Sequence, residues 1–163
     1  PKGFHKKLLL LNNEVGGQIE YAPAEVSGYP VKGENIIVMN CIWIFSRAKG
    51  HHLGKQLLHE MVESEKGATG FTTIALENHW TPWLKKNQIE SLGFKPVDSI
   101  EVSHKTKHTG QHFKIHLMWL PMTEKAKKPK WNTTDLLKGI DFCAAHPLYH
   151  PPSSKLKELL ERR

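Results

Sequence analysis

The sequence lacks any apolar run near the ~20 residues that cross a bilayer as a helix; stretches such as Leu8 to Leu11 are strand-sized. It also lacks a secretory signal, because Pro1 to Lys7 lead directly into that short run. Cysteine is scarce. Cys41 and Cys143 alone exclude a disulfide framework and predict a reducing, cytoplasmic setting with no membrane partner. Acidic residues are in the minority, 16 Asp and Glu against 23 Lys and Arg, for a formal net charge of +7. That excess suits an anionic cofactor, a nucleic acid or simple solubility. No internal repeat, helix-turn-helix, zinc finger or RNA-binding strand motif is present. The basic residues are dispersed, which argues against a nucleic-acid partner.

What is present describes a soluble α/β chain, with 39% hydrophobic and 24% charged residues and a mean hydropathy of −0.47. Its 163 residues suffice for one domain with a proper core. Lys7 to Leu11 and Val15 to Ala22 read as strands joined by an Asn12-Asn13-Glu14 turn, since Asn tolerates positive φ. Pro23 to Glu34 reads as a loop. Ile36 to Phe45 is the strongest strand. Ile37, Met39, Cys41, Trp43 and Phe45 alternate against Ile36, Val38, Ile42 and Ile44, so both faces are apolar and covered. Leu53 to Glu65 is an amphipathic helix and Phe71 to Leu76 another strand, which completes a βαβ unit with parallel strands. A second helix is predicted from Thr81-Pro82 to Gly93. Lys95 to Val102 and His112 to Leu120 form a hairpin.

The chemistry concentrates where the strong strand meets its helix, from Ile42 through Ser46-Arg47-Ala48-Lys49-Gly50-His51-His52-Leu53-Gly54-Lys55. The first amides of a helix have no internal acceptor and carry partial positive charge, so they receive a pyrophosphate well. Glycines allow close approach, and Arg47, Lys49 and Lys55 add charge. This segment resembles the Arg/Gln-x-x-Gly-x-Gly/Ala signature of the Gcn5-related N-acetyltransferase (GNAT) superfamily, placed between that family's fourth strand and third helix. Lys49 takes the Arg/Gln position, His52 the first Gly and Gly54 the last. The downstream order is also similar: a strand, a helix, a Gly-Phe pair at Gly93-Phe94 and a hairpin.

The resemblance covers about Leu8 to Leu120. It implies a mixed twisted sheet of the acetyl-CoA N-acyltransferase type with a central cofactor-binding βαβ unit. Residues 1–121 would form the core and residues 122–163 a C-terminal extension. It implies direct transfer of an acetyl group from acetyl-CoA to a primary amine, small molecule or peptide, in a ternary complex. Backbone groups of Ile42 and Ile44, with Trp43 between them, would pair with the pantetheine, and the turn from Lys49 to Lys55 would hold the pyrophosphate. The acetyl carbonyl would sit near Asn40 to Ile42. Ile89 stands where many members place a Tyr that protonates the departing thiolate, so Asn40, Cys41, His79 or bulk water are candidates for that proton. Glu77 and His79, at the end of the second parallel strand, are candidate bases, with Glu20 as a further one. Family members also carry a strand and two helices ahead of the Leu8 hairpin that wall the acceptor site. Here Pro1 to Lys6 precede it, so either the N-terminus has been removed or the wall comes from elsewhere.

Other features point in different directions. Cys143, His146 and His150 have the spacing of a partial zinc site, but no fourth ligand is evident and no metal is expected. Ser103 to His112 is a polar tip with His104, Lys105, Lys107, His108 and His112. In the extension, Asn132 caps a short helix through Leu137, and Lys155 to Arg163 reads as a terminal helix with a stripe of Leu156, Leu159 and Leu160. Trp131, Leu136, Leu137, Ile140, Phe142, Leu148 and Tyr149 require burial, so the extension should pack on the core and help to cover the cleft. Two alternatives stay open: an acetyl-CoA-binding sensor without catalysis, which the missing Tyr allows, and a basic nucleic-acid module.

Overall fold

The computed structural model describes residues 3–151 and 158–163. Strands β1 (His5–Leu11) and β2 (Glu14–Pro23) form an antiparallel hairpin closed by Asn12 and Asn13, at φ 50° and 64°. Positive φ at both positions is what a two-residue turn needs to follow the strand twist. After β3 (Val31–Lys32) come β4 (Ile36–Ile44), α1 (Leu53–Ser64) and β5 (Gly70–Glu77). Then α2 (Lys86–Ser91) leads into β6 (Lys95–His104) and β7 (His112–Pro121). The extension supplies β8 (Lys130–Trp131), α3 (Thr133–Leu137) and β9 (Leu160–Arg162).

One seven-stranded sheet runs in the order β1-β2-β4-β5-β7-β6-β9, and β3 pairs separately with β8. Within the large sheet, only β4 and β5 are parallel neighbours among the described residues. Apolar side chains cover both faces. On one, Ile37, Met39 and Phe71 meet Leu57 and Met61 of α1 and Ile89 of α2. On the other, Val38, Ile74, Ile115 and Leu117 meet Leu136, Ile140 and Leu148 of the extension, all at most 1% exposed. The extension therefore lies across the sheet opposite α1, as its apolar content requires.

The simple alternation read along Ile36 to Phe45 breaks at Asn40. Glu20 pairs with Cys41 and Tyr21 with Met39, so Asn40 is an extra residue without a partner, a β-bulge in β4. The faces swap beyond it. Ile42 and Ile44 join Ile37 and Met39 on the α1 side, while Cys41 and Trp43 turn toward the extension. β4 also leaves β5 here: their parallel pairing spans Ile36 to Val38 opposite Gly70 to Thr72 and goes no further. The bulge and the parting of the strands together create the opening that holds the candidate site.

Two helices differ from the sequence reading. No helix starts at Thr81-Pro82, because the Leu76 amide donates to the Leu84 carbonyl (2.7 Å) and Lys85 bridges in parallel to Leu76. This pairing holds residues 81–85 along the edge that β4 has vacated, and α2 begins only at Lys86. The proposed terminal helix over Lys155 to Arg163 is replaced at its end by β9, which pairs with Val102 to His104 of β6. The free edge of β6 offered ladder hydrogen bonds that outweigh helical periodicity in so short a segment. Leu156 and the other residues at 155–157 fall outside the described residues. Asn132 does cap α3, its Oδ1 accepting from the Asp135 amide at 3.2 Å.

Candidate active site at the parting of two parallel strands

β4 runs into a 3-10 turn at Ser46–Ala48 and then an exposed bend from Lys49 to His52 before α1 begins. Gly50 sits at φ 89° and His52 at φ 54°, both in the left-handed region. No protein group among the described residues accepts from the amides of Gly50, His51, His52, Leu53 or Gly54. These amides lie at the positive end of a 12-residue helix, where an anion would find donors that lack acceptors. Space is available for a ligand: a Cβ at Gly50 would have no neighbour within 4 Å, and one at Gly54 would meet only Leu92 Cδ2 at 3.7 Å. Lys49 and Lys55 make no ion pair among the described residues. Arg47 is committed to Glu14 (2.7 Å) and the Val15 carbonyl (2.9 Å) and faces the β1–β2 hairpin instead.

Beyond the bulge lies a cleft of about 400 Å³. Cys41, Ile42 and Trp43 of β4 form its floor, Trp83 and Leu84 one side, and Phe142, Cys143 and His146 of the extension its roof. Trp43 and Trp83 meet edge to face across it, 5.5 Å between ring centroids. Glu20 reaches the cleft from β2, where it is the cross-strand partner of Cys41. Its Oε1 is paired with Lys6 at 2.9 Å, and its side chain is 13% exposed. Burial pushes the Cys41 thiol up to about 11, with the Glu20 charge adding to the shift, so Cys41 is a thiol and not a thiolate at neutral pH.

The roof is fixed by a hydrogen-bond chain. The Leu148 amide donates to His146 Nδ1 (3.0 Å), which leaves the imidazole proton on Nε2. Nε2 then donates to the Tyr29 oxygen (2.9 Å), and the Tyr29 hydroxyl donates to the Asn40 carbonyl at the bulge (2.9 Å). Burial pushes His146 down to about 3, with His79 contributing, so it stays neutral. The Asn40 side chain is fully buried and its Nδ2 donates to the Ser27 carbonyl at 2.7 Å. Its Oδ1 has no partner among the described residues.

The other two named candidates are occupied. The His116 imidazole (3.0 Å) holds the Glu77 carboxyl below its ordinary range, and Lys86 is also paired with it at 3.4 Å. His79 is buried at 7% exposure. It accepts the Thr81 amide at Nδ1 (3.1 Å), so its Nε2 proton points to His104 Nε2 at 3.3 Å. Burial, aided by the charge of neighbouring imidazoles, pushes His79 down to about 4, and burial does the same to His104. Trp80, His108 and Phe113 enclose this imidazole pair. Cys143 and His146 both line the cleft, but the described residues contain no group of three side chains suited to a metal. Sequence reasoning missed Tyr29 and Trp83. Tyr29 carries no signal beyond its place between Gly28 and Pro30 in a loop. Trp83 was assigned to the first turn of a helix that begins only at Lys86.

No family model matches the chain. In sequence it is 31% identical over 82 residues to an uncharacterized N-acetyltransferase of Bacillus subtilis, YoaP, a match over 49% of this chain. The chain spans about a third of that relative's length, 33%. In structure it superposes on a candidate GNAT-family acetyltransferase from Desulfovibrio desulfuricans with a TM-score of 0.58 and 15% identity, over 74% of this chain and 70% of that one. This is the GNAT acetyltransferase fold. A candidate streptothricin acetyltransferase from Bacillus anthracis, solved with acetyl coenzyme A, shares it at a TM-score of 0.53 and 14% identity, over 72% of this chain and 62% of that one. In the GNAT fold of this chain, the parting of β4 from β5 and the open amides at the start of α1 stand next to each other in sequence, joined by residues 45–52. No helix among the described residues is long and apolar enough to cross a membrane.

Proposed function

We propose that the chain binds acetyl-CoA along the vacated edge of β4 and transfers the acetyl group to a primary amine in a ternary complex. The observation that carries this reading is the row of open amides from Gly50 to Gly54 directly beyond a strand that has left its neighbour. The amides hold the pyrophosphate, with Lys49 and Lys55 supplying charge. The backbone of Ile42 to Ile44 pairs with the pantetheine, whose thioester supplies the activated acyl carbon. Gly54 keeps the first helical turn clear for phosphate oxygens.

In the cleft Glu20 takes the proton that an alkylammonium must lose before its nitrogen attacks. The C–N bond then forms, the C–S bond breaks, and the nitrogen loses a second proton. That second proton moves to the departing sulfur through the Cys41 thiol in one relay, so the thiol is never left ionised and one proton in all reaches solvent. Glu77 and His79 are engaged with protein partners, which favours the β2–β4 pair for the proton chemistry. A sensor without turnover is favoured by one observation: Ile89, at the position of the usual Tyr, is 2% exposed in the core.

Titrating acetyl-CoA and assaying thiol release against an amine library separates these readings. Binding with thiol release supports the transferase, and binding without release for any amine supports the sensor. The nucleic-acid alternative requires salt-sensitive RNA or DNA binding that acetyl-CoA leaves unchanged.

A further inference from the structure

We propose that the acceptor is a small arylalkylamine, a single ammonium on a flat apolar body, bound in the cleft roofed by the extension. The assignment rests on the reading of this cleft as the acceptor side of an acetyl transfer. Its size sets the first limit. About 400 Å³ lies at the low end of small-molecule sites, and because Ile42 and Trp43 line it the acceptor shares that space with the thioester end of the cofactor, which favours a small acceptor.

The walls set the second. Trp43, Phe45, Trp83 and Phe142 all line the cleft, so it offers four aromatic rings to a ligand. Trp43 and Trp83 already meet edge to face at 5.5 Å, and a flat ring is the shape that continues such packing. Phe45 is 40% exposed, leaving apolar area for a ligand to cover.

Charge sets the third. Glu20 is the cleft's one carboxylate, and Lys6 its one ammonium. Lys6 engages a single oxygen, Oε1, from the edge strand β1, where it is 47% exposed; Oε2 has no ion-pair partner among the described residues. One cation is therefore welcome at Oε2. A second ammonium, as on a polyamine, would find no second carboxylate among the described lining residues, only ring faces and the neutral side chains of Gln18 and Asn40. An acid would find no unpaired cation. The placement also suits the chemistry: Glu20 is the direct cross-strand partner of Cys41, so an ammonium on its carboxylate lies beside the bulge, where the acetyl carbonyl is placed.

The test uses the full chain with 2-phenylethylamine, spermidine and phenylacetate. Each is titrated calorimetrically in the presence of CoA, which permits a ternary complex without turnover, and each amine is then assayed with acetyl-CoA. The expected result is binding and acetylation of 2-phenylethylamine, with kcat/KM at least tenfold above spermidine, and no binding of phenylacetate. Glu20→Gln should weaken 2-phenylethylamine at least tenfold and Trp83→Ala several-fold. Acetyl-CoA affinity should be unchanged in both, which also shows that the variants fold. If acetyl-CoA binds but spermidine or a peptide is preferred, or 2-phenylethylamine is not bound, the acceptor class is overturned while the proposed cofactor site stands. If acetyl-CoA itself does not bind, the underlying reading fails first.

Discussion

Glu20 and Glu77 both stand near the opening of the sheet, and their surroundings give them different work. Glu77 has one oxygen on His116 and the other on Lys86, so it is ionised, engaged and a poor proton acceptor. Glu20 lines the cleft and has one oxygen outside its ion pair with Lys6. Glu20→Gln should therefore lower kcat on the order of a hundredfold, the scale of a general base, while Glu77→Gln stays within about threefold. Steady-state kinetics on both variants checks this, and the reverse ranking would return Glu77 to the base position. The buried imidazoles make a second residue-level prediction. His79, His104 and His146 are held at about 4, 4 and 3 in the fold, below the ordinary 6.5. The unfolded chain thus binds more protons than the native one between these values. Stability is complete above about pH 6.5 and falls as the pH drops, by up to about 1.4 kcal/mol per unit for each imidazole. Urea unfolding between pH 7.5 and 5 should show this loss, and a flat profile would mean the imidazoles titrate alike in the folded and unfolded chain.

At the scale of elements, the bulge in β4 controls the site. It turns Cys41 and Trp43 toward the extension and coincides with the point where β5 is left behind. The Tyr29 hydroxyl ties this bulge to His146. Tyr29→Phe leaves the buried Asn40 carbonyl and the His146 Nε2–H unpaired and should cost roughly 2 kcal/mol. Chemical denaturation measures this; a change under about 0.5 kcal/mol would show that the tie is not holding the bulge. The same element shows what the sequence could convey. Apolar density made β4 visible as a doubly covered strand, and Gly50, Gly54 and the basic residues marked the turn. Asn40 was visible as a polar interruption, but not as a bulge, because an inserted residue changes register only relative to a partner strand. Thr81-Pro82 looked like a helix start because capping is local, whereas the Leu76–Leu84 hydrogen bond that prevents it is not.

For the whole molecule, the extension is part of the folded core. Leu136, Ile140 and Leu148 are at most 1% exposed within the core on the face opposite α1. Leu136→Ala should destabilise the fold by about 2–4 kcal/mol, against about 0.5 kcal/mol or less for Met122→Ala at an exposed position. Amides from 131 to 150 should resist hydrogen exchange nearly as long as those of β7, and rapid exchange there would show an extension that is not part of the fold. The need for burial was readable from the count of large apolar residues. Their destination over the cleft was not, since it depends on the sheet face that the bulge exposes. β9 was hidden for a similar reason: only the assembled sheet shows that β6 has an edge to fill.

All of these levels meet in the claim that acetyl-CoA lies on the open amides at the start of α1. Gly54 offers a clean probe, because a side chain there meets nothing closer than Leu92 Cδ2 at 3.7 Å and the fold should tolerate it. An Asp at that position sets a carboxylate against the pyrophosphate, whereas Ala adds only a methyl group. Calorimetric titration of acetyl-CoA into the wild type, Gly54→Ala and Gly54→Asp is the direct measurement. The account predicts binding to the wild type, weaker binding to Gly54→Ala and none to a folded Gly54→Asp. Wild-type protein that takes up no acetyl-CoA, or a Gly54→Asp variant with undiminished affinity, would contradict it.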